Sequence, residues 1–159
     1  MSESDCRSTS PPQTATHARL ESSPTPEIAL AEHPNVATFH SIYIAFTTGD
    51  MDTLATFFDK DVVWHTPGQH QLAATYEGRE ATFASFAAEF ERSGGTYDVD
   101  VRDVVANDEH IVALLHATAN CEGRLLDQDY VVVFEMRDGI VHVAWEIWKD
   151  QPSVDSFWS

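Results

Sequence analysis

After residue 34, the first part of the chain repeats its apolar positions every three or four residues, as amphipathic helices do. Asn35 is the predicted N-cap of a first helix that ends at Gly49. Asp50 is placed to cap a second, shorter helix, and a third is predicted over about residues 79–92. The apolar residues that define the three helices are Val36, Phe39, Tyr43 and Phe46, then Met51, Leu54, Phe57 and Phe58, then Phe83, Phe86, Ala87 and Phe90.

The rest of the pattern predicts strands, one between the second and third helices and four in succession after the third. The predicted strands cover residues 61–66, 97–102, 110–120, 124–137 and 140–149. Helices followed by a run of strands are typical of an α+β fold. We expect one curved antiparallel sheet packed on three N-terminal helices, enclosing a cone-shaped pocket.

Two short turns allow the register of the last three strands to be predicted, because loop length sets the pairing. With Asp138-Gly139 as a two-residue loop, Glu146 lies opposite Val131, and Trp148 lies opposite Asp129. With Glu122-Gly123 treated in the same way, His116 faces Asp129. This register gathers His116, Asp129, Glu146 and Trp148 on one face, and a single β-bulge would move one of them to the other face.

The two faces of the last two strands differ in character. We expect the face with the carboxylates to be concave and to line the pocket. We expect the opposite face to pack against a second copy of the chain, because it is apolar. That opposite face would carry Tyr130, Val132, Phe134, Val143, Trp145 and Ile147.

Composition and charge set limits on domain number and partners. The 159 residues fit one domain, predicted over residues 35–159. Residues 1–34 hold 15 Ser, Thr or Pro and little apolar periodicity, so we expect a disordered tail there. The formal net charge of −17 argues against nucleic acid as a partner, and no apolar run reaches the length of a membrane span. The N-terminus lacks the apolar stretch of a secretory signal, which favours the cytoplasm.

Residues 35–158 resemble the SnoaL-like group of the NTF2-like, or ketosteroid-isomerase-like, superfamily. The resemblance rests on the order and spacing of several short motifs rather than on any one of them. These motifs are Thr48-Gly49-Asp50-Met51-Asp52, Trp64-His65-Thr66-Pro67-Gly68, Tyr76-Glu77-Gly78-Arg79-Glu80, Arg137-Asp138-Gly139-Ile140, Trp145-Glu146 and the closing segment from Lys149 to Trp158.

The resemblance implies a cone-shaped sheet closed by helices, a homodimer, and activities such as polyketide cyclisation or ketosteroid-type isomerisation. In SnoaL-type cyclases the acid/base is an aspartate in a His-Trp-Asp stretch on the last strand. The matching stretch here is Ala144-Trp145-Glu146. Glu146 keeps a carboxylate that is one methylene longer, whereas Ala144 lacks the imidazole.

The candidate catalytic residues are Glu146 as general acid/base, with Asp129 and His116 tuning it or relaying its proton. The candidate substrate-binding residues are Trp64, His65, Tyr43, Tyr76 and Trp148. No cofactor is expected, because no glycine-rich phosphate loop is present. No metal is expected either, because His65 and His70 lack a convincing third ligand.

Two functions of different classes fit these observations. The first is a cofactor-free acid/base enzyme, an isomerase, cyclase or related lyase or hydrolase. Its substrate would be a small, largely apolar carbonyl compound such as a polyketide or a steroid-like molecule. The second is a non-catalytic module of the same fold that binds a small apolar ligand or dimerises. We favour the enzyme because of the predicted clustering around Glu146.

Overall fold

A computed structural model describes residues 31–159. The tail predicted for residues 1–34 lies outside the described residues except at its end. The described elements are α1 (Pro34–Thr48), α2 (Met51–Phe57), β1 (Phe58–Thr66), β2 (Ala74–Glu77), α3 (Arg79–Arg92), β3 (Asp98–Ala106), β4 (His110–Cys121), β5 (Arg124–Arg137), β6 (Ile140–Trp148) and α4 (Gln151–Trp158). Within residues 31–159 there is no helix both long enough and apolar enough to cross a membrane.

The ends of the first two helices are set by specific caps. His33 is the N-cap of α1, since its Nδ1 accepts from the Asn35 backbone N–H at 3.2 Å. The predicted cap at Asn35 is therefore wrong by two residues, because the Asn35 side chain donates instead to the Asn107 carbonyl at 2.8 Å. Gly49 ends α1 with a φ of 70°, and the Asp50 carboxylate caps α2 by accepting from Thr53 N–H at 3.0 Å.

The six strands form one curved, unclosed sheet in the order β2-β1-β6-β5-β4-β3. The predicted α+β fold is confirmed. One pairing departs from the antiparallel pattern, because β1 and β6 run parallel and are joined through the whole intervening chain rather than by a hairpin.

Two short elements were not predicted. β2 is a four-residue strand that is mostly exposed, and α4 is an eight-residue helix with proline in its first turn.

A β-bulge changes the predicted register of the last hairpin. Pairing starts as expected at Arg137 and Ile140, but it shifts between Met136 and Glu135, where His142 is left without a partner. Glu146 consequently lies opposite Val132 instead of Val131, and Trp148 lies opposite Tyr130 instead of Asp129. Because side chains alternate between faces, this one-residue shift moves Glu146 and Trp148 to the face opposite Asp129. The predicted four-residue patch is therefore wrong.

The register of the β4–β5 hairpin is confirmed, with His116 paired to Asp129. That pair lies on the outer face of the sheet, so the expectation that its face lines the pocket is also wrong. Tyr130, Val132 and Phe134, which we expected to pack on a second copy, instead face the helices. The Phe39 ring of α1 lies 6.0 Å from the Phe134 ring, measured between ring centroids.

Candidate functional site

The concave face of the sheet and helices α1, α2 and α3 enclose a cavity of about 60 Å³. Its wall is almost wholly apolar and aromatic, and two carboxyl groups interrupt it. The lining residues are Phe39, Ile42, Tyr43, Phe46, Leu54, Phe58, Trp64, Phe86, Glu89, Tyr97, Val99, Tyr130, Val132, Phe134 and Glu146. A concave, mostly apolar cavity with a few convergent polar groups is the usual form of a small-molecule site.

Glu146 is the carboxyl group that the sheet contributes to this cavity. It is buried near the end of β6, and two indole groups hold it in place. Trp64 Nε1 donates to Oε1 at 3.0 Å, and Trp148 Nε1 donates to Oε2 at 3.4 Å. Burial raises the pKa of Glu146 to about 7, although both indole hydrogen bonds favour its charged form. A carboxyl with this pKa exchanges protons near neutral pH.

Glu89 on α3 is a second buried carboxyl group in the same cavity, and it is not among the residues predicted from the sequence. Burial and then the nearby charge of Glu146 raise its pKa well above the usual range. The phenylalanines of α3 indicate a core-facing stripe, and Glu89 is the polar member of that face that lines the cavity. The available signal was spacing, since Glu89 follows Phe86 by three residues and therefore shares its buried face.

Three tyrosines complete the polar part of the cavity. Tyr130 is buried and Tyr97 is half-buried beside the two carboxyls, and burial raises the pKa of both phenols. Both hydroxyls therefore stay protonated at neutral pH. The Tyr43 hydroxyl donates to the Val99 carbonyl at 2.6 Å, which fixes its orientation against β3. Tyr43 lines the cavity as predicted from the sequence.

The other predicted binding residues divide between the two faces of the sheet. Trp64 lines the cavity, and Trp148 stacks on Tyr130 with ring centroids 4.2 Å apart while it donates to Glu146. Tyr76 donates its hydroxyl to the Leu72 carbonyl at 2.7 Å and lies outside the cavity lining. His65 is on the outer side of β1, where its ring stacks on Trp145 at 5.6 Å.

His116 and Asp129 form a separate polar cluster on the outer face. His116 Nδ1 lies 2.8 Å from Asp129 Oδ1, and His116 Nε2 lies 3.2 Å from Asp127 Oδ1. Lys149 Nζ donates to Asp129 Oδ2 at 3.3 Å. The hydrogen bond with His116, followed by that with Lys149, lowers the pKa of Asp129. The sheet separates this cluster from Glu146, so the three candidate catalytic residues are not brought together.

The histidines near the Pro67-Gly68 turn do not assemble a metal site. His70 is buried, its Nδ1 accepts from the Leu72 backbone N–H at 3.2 Å, and its Nε2 lies 3.9 Å from Asp155 Oδ1. His65 points to the other side of β1, against Trp145. Among residues 31–159, no three His, Cys, Asp or Glu side chains are grouped closely enough to hold a metal ion.

An outer cleft of about 460 Å³ adjoins the cavity. Phe46, Phe86, Tyr97 and Val99 line both spaces, and the Phe46 and Phe86 rings meet edge to face at 5.3 Å. Three more apolar side chains line the cleft, those of Met51, Phe83 and Phe90. Met51 is 39% exposed and Phe90 is 56% exposed. The cavity and the cleft therefore share a wall of largely apolar side chains at the junction of α1, α3 and β3.

Comparison with known proteins identifies relatives over most of the described residues. Residues 39–143 match the family model of the SnoaL-like domain. An uncharacterised protein of Mycobacterium tuberculosis is 29% identical over 118 residues, which cover 74% of this chain and 90% of that protein.

Among solved structures, Bal32a from a soil-derived mobile gene cassette is 36% identical, with a TM-score of 0.76. The match covers 79% of this chain and 96% of Bal32a. IdmH, a proposed polyketide cyclase from Streptomyces antibioticus, is 20% identical with a TM-score of 0.62, over 74% of this chain and 93% of that one. At that identity the likeness to IdmH shows a shared fold and nothing more.

Proposed function

The chain belongs to the SnoaL-like domain family of the NTF2-like superfamily, and on this basis we propose that it is a cofactor-free acid/base enzyme. It would act as an isomerase, cyclase or related lyase or hydrolase on a small, largely apolar carbonyl compound. The observation that carries the proposal is Glu146, a buried carboxyl in an apolar cavity whose pKa is raised to about 7.

A carboxylate with this pKa suits proton abstraction from carbon. A general base is most effective when its pKa lies near the working pH, because enough of it is ionised and it is still basic. The Glu146 carboxylate would remove a proton from the carbon next to a carbonyl and return it elsewhere on the same molecule. The indoles of Trp64 and Trp148 hold both carboxylate oxygens and thereby orient the group.

The proposal differs from the sequence-based hypothesis in the residues that assist Glu146. Asp129 and His116 take no part in the proposed proton transfers, because they lie on the outer face. Asp129 is moreover a half-exposed carboxylate whose pKa is lowered. His65 also lies outside the reaction space. Trp64 and Tyr43 remain wall residues, and Trp148 acts through its contact with Glu146.

The dimensions of the two spaces suggest how a substrate would lie. A cavity of about 60 Å³ holds only the reacting end of a polyketide or steroid-like molecule. The adjoining cleft of about 460 Å³ has the apolar lining that the rest of such a molecule needs. The shared fold with a proposed polyketide cyclase is consistent with this class of substrate.

Exchange of hydrogen for deuterium tests the proposal even while the natural substrate is unidentified. A panel of apolar ketones and 1,3-dicarbonyl compounds would be incubated with the protein in D2O, and loss of the α-proton signal would be followed by NMR. We expect at least one compound to exchange faster than without protein, and Glu146→Gln to slow that exchange by about 10³-fold. The matched control Asp129→Asn should exchange at the parent rate.

Two results would contradict the proposal. The first is unchanged exchange in Glu146→Gln. The second is binding of panel compounds with no exchange above the uncatalysed rate by the parent protein. The second result would favour the non-catalytic ligand-binding module, for which the close aromatic packing around the cavity is the supporting observation.

We also propose that the chain forms a homodimer through the outer face of the sheet. Three apolar side chains are exposed there, with exposed fractions of 45% for Leu114, 56% for Ile147 and 59% for Val105. Sedimentation velocity should report a dimer that Ile147→Glu dissociates. Ile44→Glu, at an equally exposed position on α1, is the matched control. A monomeric parent protein would contradict this proposal.

A further inference from the structure

Glu89 is held in surroundings that favour its neutral form. It lies on the buried face of α3, with the Phe86 ring one turn before it, and its carboxyl group opens into the cavity. Among the described residues, no side chain or backbone N–H donates a hydrogen bond to that carboxyl group. A buried carboxylate without donors is costly, so the group keeps its proton instead.

Glu146 has the opposite surroundings although it shares the same cavity. Two indole N–H groups donate to it, one to each oxygen, and they stabilise its negative charge. Two carboxyl groups so close in an apolar space do not both ionise, because like charges repel strongly where water is excluded. The donors therefore decide which group carries the charge. Glu146 therefore ionises first, with a pKa of about 7, and Glu89 keeps its proton while Glu146 is charged.

We propose that Glu89 is a second catalytic residue, a carboxylic acid that donates its proton to the substrate carbonyl oxygen while Glu146 accepts a proton from the neighbouring carbon. This inference rests on the proposed function and names the group that completes it. It also requires a substrate with an enolisable carbonyl and no anionic group at the reacting end, because an anion would meet the Glu146 charge.

The two proton transfers balance within one catalytic cycle. The C–H electron pair moves into the new C=C bond as the proton passes to Glu146, and the carbonyl π pair takes the Glu89 proton to give a neutral enol. Glu89 is then the carboxylate and Glu146 the acid. In the return step Glu89 recovers the O–H proton, and Glu146 delivers its proton back to the same carbon or, where the substrate carries a C=C bond β,γ to the carbonyl, to the γ carbon of the resulting dienol. The enzyme ends in its starting state, and delivery to the γ carbon isomerises the substrate.

The remaining ionisable groups around the pair do not titrate in the same range. Burial raises the pKa of the surrounding phenols, so they stay neutral. The Arg92 guanidinium, a cation on the same helix as Glu89, is bonded to Gln71 Oε1. The charges of Glu89 and Glu146 act on three phenols, namely Tyr97 before β3, Tyr130 on β5 and Tyr76 on β2. Tyr43 on α1 lines the same cavity.

Titration of the carboxyl carbons by 13C NMR tests where the proton resides, and it needs no substrate. If Glu89 is neutral when Glu146 ionises, the isosteric Glu89→Gln variant leaves the Glu146 titration within about 0.5 pH unit of the parent. In Glu146→Gln, the Glu89 titration moves to lower pH, because the neighbouring charge is gone. A fall of one unit or more for Glu146 in Glu89→Gln would show that Glu89 is ionised in the parent, and would overturn the inference.

The deuterium-exchange assay tests the catalytic role separately. The amide introduced by Glu89→Gln keeps an N–H donor but cannot release a proton, so this variant should lower kcat by about 10²-fold and leave KM nearly unchanged. Normal exchange in Glu89→Gln, with exchange abolished in Glu146→Gln, would overturn the role of Glu89 and leave the proposed function standing. Absence of exchange in the parent protein would overturn the proposed function, whereas the titration would still report the proton's position.

Discussion

The two faces of the sheet carry carboxylates on neighbouring strands whose pKa values move in opposite directions. On the inner face, Glu146 is buried among aromatic rings and its pKa rises to about 7. On the outer face, Asp129 is half exposed, bonded to His116 and Lys149, and its pKa falls. Solvent and cations make the outer group an ordinary surface anion. Burial, only partly offset by two indoles, makes the inner group a proton acceptor at neutral pH.

This contrast depends on one unpaired residue. Without the bulge at His142, Glu146 would share the outer face with Asp129, and its carboxylate would be solvated. The same amino acids would then form a surface ion cluster with no base in the cavity. The chemistry of the site is thus a consequence of strand register as well as of residue type.

The largest expected effect comes from placing a new carboxylate on each face in turn. Val132→Asp would bury a charge directly opposite Glu146, at a position only 3% exposed. We expect a loss of at least ~4 kcal/mol in the free energy of unfolding, or failure to fold. Val131→Asp, one residue earlier and on the outer face between Leu114 and Ile147, should cost ~1 kcal/mol or less when both variants are compared at a protein concentration that keeps the chain monomeric. Urea denaturation compares them, and a larger loss for Val131→Asp would contradict the observed register.

A smaller effect is expected on the pKa of Glu146 when a tryptophan that donates to it is replaced, compared with a tryptophan that does not. Trp64→Phe removes the donor at 3.0 Å, so the charged form of Glu146 loses support and its pKa should rise by about one unit. Trp145→Phe, on the outer face where the ring stacks on His65, is the matched control and should leave that pKa unchanged. NMR titration of the Glu146 carboxyl carbon measures both, and equal shifts would contradict the assigned role of Trp64.

The smallest expected effect concerns the outer cluster. Asp129→Asn removes hydrogen bonds with His116 and Lys149 that are open to solvent. We expect Tm to fall by ~2 °C or less at low salt, and the difference to disappear at about 1 M salt, where exposed charges are screened. Thermal melts at the two salt concentrations measure it. A large, salt-independent fall would mean that the cluster is not an ordinary surface network.

Much of the fold could be predicted because local signals agreed with tertiary structure. Helical spacing located α3 at its observed bounds, and the Glu122-Gly123 turn set the pairing of His116 with Asp129 correctly. The short elements β2 and α4 were missed, because a four-residue exposed strand has no apolar alternation and α4 is a short helix stabilised by docking.

The site was predictable only in part. Glu146 was identified from its place in a motif, but its face could not be, since Val141-His142-Val143 continues an alternating pattern and gives no sign of a bulge. Glu89 is one of 26 acidic residues, and its spacing from Phe86 places it on the buried face of α3 without showing that it shares a cavity with Glu146. Burial of these two groups arises from tertiary packing, which local patterns do not encode.

The pH dependence of stability in Glu146→Gln is the measurement we would make first. The folded protein keeps a proton on Glu146 that the unfolded chain loses near pH 4.5, so the parent loses roughly 3 kcal/mol of stability as the pH rises from 4.5 to about 7. The variant avoids this loss, although one indole N–H gives up its acceptor at a cost of about 1 kcal/mol. We therefore predict the variant to be less stable than the parent by about 1 kcal/mol at about pH 4, and more stable than the parent by about 2 kcal/mol at about pH 8. A difference that is independent of pH, or a less stable variant on the alkaline side, would show that Glu146 is an ordinary structural carboxylate and would contradict the account.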